Sequence, residues 1–135
     1  MRWVELEGGI MPDMTIALTH SEKKARKAIG ECIGEVFSGA LNDYRHCDAT
    51  THILLNHDTN ETRYLVFMKP NLDLAASAYA ALLAHEATHI AMDYLGGIGE
   101  KNPSEELTCY TIQTITGFLV DEHFKWKTKK LDAIK

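Results

Sequence analysis

Between Leu74 and Ala84 the chain runs eleven residues without a charge, LAASAYAALLA. Alanine and leucine are the strongest helix formers, and apolar residues continue at helical spacing to Leu95. A helix apolar on most of its surface has to be covered by the rest of the fold. At about 1.5 Å per residue the uncharged run spans roughly 16 Å, half a bilayer, so it reads as a buried helix and not as a membrane span. The pattern predicts a helix from about Asp73 to Leu95, stopped by Gly96-Gly97-Ile98-Gly99, which offers left-handed positions.

The other elements follow from local signals. Trp3–Leu6 and Met14–Leu18 read as short strands separated by a Gly-Gly and Pro-Asp break. Thr19 followed by Glu22 fits a capping box. Behind it Ala25, Ile29, Cys32, Val36 and Phe37 recur at helical spacing, predicting an amphipathic helix over 21–40 whose solvated face carries Lys23, Lys24, Arg26 and Lys27. Thr51–His57 and Thr62–Lys69 are rich in β-branched and aromatic residues, with Asp58-Thr59-Asn60-Glu61 between them, which is a hairpin signal. Asn102 as N-cap and Pro103 in the first turn open a last helix to about Val120. Residues 121–135 carry five lysines against three acids and read as a basic surface helix or tail. Strands and helix, then a hairpin, then two helices predict an α+β domain over 1–120: a small antiparallel or mixed sheet packed on the long helix, with a second C-terminal helix beyond it.

At 135 residues there is room for one domain, and a chain of this size buries roughly two thirds of its unfolded surface. It needs no metal merely to fold. Fourteen basic against nineteen acidic residues leave a net charge of −5, which argues against nucleic acid as a partner. Three cysteines (Cys32, Cys47, Cys109) make neither a CxxC pair nor an even set. With no apolar run in Met1–Ile10 to suggest a signal peptide, the reading is a cytoplasmic chain with reduced thiols and no membrane partner.

Chemistry concentrates in the long helix, at His85-Glu86-Ala87-Thr88-His89. Residues i and i+4 stack on one helix face, so two imidazole nitrogens can reach one Zn²⁺ at about 2.0–2.1 Å. Glu86, one step round, lies beside such an ion and can act as the general base on a water. The alternative is a pair of neutral core histidines hydrogen-bonded to backbone or carboxylates. A catalytic zinc wants a third protein ligand. Asp93 continues the face but lies about 12 Å along the axis from His85, so it reads as a supporting or capping residue. Met92 and Leu95 stand where HExxHxxGxxH would place glycine and histidine. A carboxylate from the next helix remains. With Asn102 as N-cap, Glu105 falls at N3 and folds back on the cap, leaving Glu106 as the ligand and Glu105 as the fallback. The competing reading is that both acids only complement the helix dipole. Glu106 shares a face with Tyr110, Gln113 and Gly117. Tyr110 reads either as a hydroxyl donor, to a developing oxyanion or to Glu106, or equally as a buried core tyrosine. His20, His46, His52, His57 and His123 have no companion at ligand spacing and read as ordinary surface or core histidines, His123 being the one to check, and Cys109 reads as a small buried residue.

With HExxH on one helix and a glutamate on the next, the sequence resembles a zincin of the gluzincin type. The stretch AHEATHIAMDYLG…PSEELTCYTIQTIT is also similar to small metallopeptidases of tailed bacteriophages and prophages, over roughly Leu74 to Phe118. The resemblance implies a minimal zincin-like domain, His85, His89 and Glu106 as zinc ligands, Glu86 as general base, and a peptide or protein substrate in a host bacterial cytoplasm. A non-catalytic, zinc-binding phage structural or assembly protein is the alternative.

Overall fold

The structure, a computed structural model, describes residues 1–8, 11–31, 47–56, 59–99 and 102–134. The chain is α+β, with a four-stranded mixed sheet and three helices. It divides into two compact units, Met1–Pro70 and Asn71–Lys135.

The first unit holds β1 (Val4–Gly8), β2 (Met11–Thr19), α1 (Glu22–Glu31), β3 (Ala49–Asn56) and β4 (Glu61–Met68). The strands lie in the order β1-β2-β4-β3. Antiparallel pairs flank one parallel pair, β2 with β4. The hairpin read from the sequence is β3–β4, in register from Ala49↔Met68 to Asn56↔Glu61. Its turn uses Asn60 at φ 59°, a left-handed conformation that asparagine tolerates better than most residues. Alternation of side chains sorts the sheet into two faces. Ala17, Leu54, Leu65 and Phe67 form one buried cluster with Ala25 and Ala28 of α1. Met14, Ile16, Leu18, Tyr64, Val66 and Met68, on the opposite face, are buried as well.

Two features of α1 differ from expectation. Its cap is Ser21, whose hydroxyl accepts the Lys24 N–H at 3.2 Å, while Thr19 Oγ1 accepts the Ser21 N–H at 3.1 Å. The Thr19–Glu22 box is therefore not formed, because a hydroxyl three residues before Lys24 reaches the free amide of the first turn. The part of the predicted helix beyond Glu31, with Cys32, Val36 and Phe37, lies outside the described residues, as do His46 and His57.

The second unit is two packed helices, α2 (Ala76–Gly97) and α3 (Glu105–Ile134). α2 begins three residues later than the apolar pattern indicates, behind an extended Ala75. It runs through Gly96 and Gly97, and the left-handed residue is Gly99, at φ 87°. α3 is one uninterrupted helix of 30 residues, so the basic segment after Val120 is helical and continuous with it. Its cap is not Asn102. Ser104 Oγ accepts the Leu107 N–H at 3.1 Å, and Ser104 O accepts the Thr108 N–H at 3.1 Å. Glu105 and Glu106 thus open the helix at N1 and N2, and the N3 argument that separated them does not hold. Among the described residues no helix is long and apolar enough to cross a membrane.

Candidate metal centre

α2 buries Tyr79, Leu83, Ala87, Ile90, Ala91, Tyr94 and Leu95, a stripe at three- and four-residue spacing. His85 and His89 lie on the other side of the helix and are exposed. Their Nε2 atoms stand 3.1 Å apart, with ring centroids 4.8 Å apart and planes at 80°. The i, i+4 spacing sets the two rings on one face, edge to face, and the nitrogens farthest from the backbone converge. Between them in sequence, Thr88 donates its hydroxyl to Ala84 O at 2.8 Å, which holds that side chain against its own helix.

Two chemistries fit this contact. One neutral ring can donate an Nε2–H to the other, or both nitrogens can turn lone pairs to one cation. Two nitrogens bound at about 2.05 Å to a tetrahedral ion sit about 3.3 Å apart, and the observed 3.1 Å is within about 0.2 Å of that. The donor set therefore fits a zinc-type ion at two of its positions.

The remaining site residues are placed as follows. Glu86 is 5% exposed; a step of about 100° from His85 carries it from the open face toward the packed one. Asp93 is half-buried. Glu105 and Glu106 are exposed in the first turn of α3, and Tyr110 is 55% exposed, so the reading of Tyr110 as a core residue fails. Cys109 is likewise exposed, because both lie off the side of α3 that buries Thr111, Ile115, Leu119 and His123. Among the described residues no three His, Cys, Asp or Glu side chains are gathered to hold one ion. The structure brings His85 and His89 together and does not bring Glu106 to them.

One of the histidines read as ordinary, the one singled out for checking, stands out. His123 is fully buried, edge-on to Tyr79 of α2 with centroids 4.5 Å apart and planes at 87°, and beside Trp126 at 5.5 Å. Lys127 lies 5.7 Å over the Tyr79 ring. Burial, and then the Lys127 charge, hold the His123 imidazole below its ordinary pKa. Tyr79 and His123 are forty-four positions apart, and no local pattern in the chain announces their contact. His52, on β3, is buried too.

Comparison with known proteins finds no family model that matches the chain, no curated protein that matches it and no solved structure that matches it.

Proposed function

We propose that this chain is a zinc-dependent metallopeptidase of the HExxH type, with His85 and His89 as two of the metal ligands and Glu86 as general base. One observation carries the reading: two imidazole nitrogens converge to 3.1 Å on the open face of α2, a separation suited to chelating one small divalent ion. Zinc bound there would supply Lewis acidity toward a peptide carbonyl and lower the pKa of a water to about 7. The chain's own groups do the rest. His85 and His89 hold their Nε2 lone pairs toward the open side. Glu86 takes a proton from the attacking water and returns it to the leaving amine nitrogen. Its carboxylate must turn from its buried position toward the imidazole pair to do so. The third ligand by motif order is Glu106, whose carboxylate has to join the pair when the ion binds. Tyr110 is assigned no step.

Retention of a glutamate directly after the first histidine supports turnover over mere metal storage, since binding an ion does not require it. The test is zinc content and hydrolysis of a broad peptide library by the parent, Glu86→Gln and His89→Ala. A peptidase gives Glu86→Gln with its zinc and about 10²–10⁴-fold less activity, and His89→Ala with neither zinc nor activity. Zinc bound by the parent without hydrolysis would leave a metal-binding phage structural or assembly protein.

A further inference from the structure

The first unit holds a cavity of about 230 Å³ between α1 and the sheet. An apolar cavity of about 150 Å³ takes a benzene ring, so this one admits a somewhat larger molecule. Its position follows from the hairpin register. Leu54 stands opposite Arg63, and Glu61, two residues before Arg63, falls on the same side of the sheet. That side is the one α1 covers, because Leu54 belongs to the cluster with Ala25 and Ala28. Ala28 and Glu31, three residues apart, share a face of α1. Trp3, just before β1, packs against the same cluster.

The lining changes character from inside to outside. Leu54 and Ala28 are buried, Trp3 and Arg63 half-buried, and Glu31 and Glu61 exposed. An apolar inner end thus opens through a charged mouth.

Those charges are only partly matched. Arg63 Nε donates to Glu61 Oε1 at 3.2 Å, and the guanidinium carbon lies over the Trp3 ring, 5.3 Å from its centroid. Neither contact uses Nη1 or Nη2. Among the described residues those two nitrogens and the Glu31 carboxylate have no hydrogen-bond or ion-pair partner. A guanidinium edge of this kind matches a carboxylate through two N–H groups.

Charge selects the ligand. A plain anion on Arg63 would share the mouth with the carboxylates of Glu31 and Glu61. A plain cation on Glu31 would share it with the Arg63 charge. A molecule carrying both charges answers both groups and adds no net charge to the cavity.

We propose that this cavity binds a small zwitterion, an amino acid. Its carboxylate lies on Arg63 Nη1 and Nη2, its ammonium on Glu31, and its apolar part against Leu54, Ala28 and the Trp3 ring. The site lies wholly within Met1–Pro70 and shares no residue with the His85–His89 pair. It goes beyond the metallopeptidase reading and is independent of it.

The test is titration calorimetry of the full chain in chelator, which keeps the ligands off zinc. The probes are leucine, whose charges are close together, and 6-aminohexanoate, whose charges are far apart. At least one is expected to bind with a dissociation constant of about 1 mM or below. The amide of that probe, and the acid lacking its amino group, should bind at least about tenfold more weakly. Arg63→Gln and Glu31→Gln should each weaken the probe itself by a similar factor. Ala28→Leu, which fills the apolar end, should abolish binding. Glu31 is exposed, so its variant keeps the fold even where Ala28→Leu does not. No binding of either probe up to about 10 mM, an affinity unchanged in Glu31→Gln, or an amide or acid that binds as tightly as the zwitterion overturns the proposal. With zinc absent throughout, none of these outcomes bears on the metallopeptidase reading.

Discussion

The imidazoles of His85 and His89 meet through Nε2 atoms 3.1 Å apart on the open side of α2. The rings are edge-on rather than stacked flat, so their nitrogens, and not their faces, share the space between them. A pair held this way by helix geometry alone has little left to rearrange when an ion arrives, and preorganised donors bind more tightly than mobile ones.

The metal-binding consequence is direct. The parent is expected to bind one zinc per chain, and His85→Ala or His89→Ala to lose it, as read by metal analysis after dialysis. Zinc at about a hundred times its dissociation constant should raise unfolding stability by about 2.7 kcal/mol, and neither alanine variant should show that gain. A parent that gains nothing from zinc would identify the 3.1 Å contact as a histidine–histidine hydrogen bond.

Glu105 and Glu106 separate by substitution where capping no longer separates them. Glu106→Gln should weaken zinc binding by at least about tenfold, while Glu105→Gln leaves it within about twofold, the difference expected between a ligand and a first-turn acid that only complements the helix dipole. Titration calorimetry reads both. Equal effects would withdraw Glu106 as the third ligand.

Ser104→Ala tests the observed start of α3. Removing the hydroxyl that accepts the Leu107 N–H should cost about 0.5–2 kcal/mol in urea unfolding, whereas Asn102→Ala should cost almost nothing. The reverse order would restore Asn102 as the cap.

His123 gives stability a pH dependence with a definite sign. The folded protein holds this imidazole below the ordinary value of 6.5, through burial first and Lys127 second. The unfolded chain therefore takes up the proton more readily. The contribution of neutral His123 is complete above 6.5, declines as pH falls through that value, and stops declining below the folded pKa. Metal-free urea midpoints at about pH 7.5 and about pH 5 should show the parent losing more stability on acidification than His123→Phe, a ring of similar size without the titration. Parallel losses in the two proteins would contradict the assignment.

What could be read from one dimension was whatever depends on neighbours in the chain. The apolar run before Ala84 and the period of the residues after it announced α2. The β-branched runs around Thr59-Asn60 announced the β3–β4 hairpin, and the four-residue step from His85 to His89 placed two rings on one side of one helix. Each follows from local backbone geometry and side-chain type. Capping was misread twice for a local reason: at both helix starts, a serine nearer the first free amides displaced the residue expected to serve them.

Contacts between distant positions needed the folded chain. The parallel pairing of β2 with β4, the burial of His123 against Tyr79 and the solvent-facing placement of Tyr110 and Cys109 all depend on which side of a helix or strand finds cover. That choice belongs to the whole core, because the same helical period can turn either of its faces inward until a partner element buries one of them.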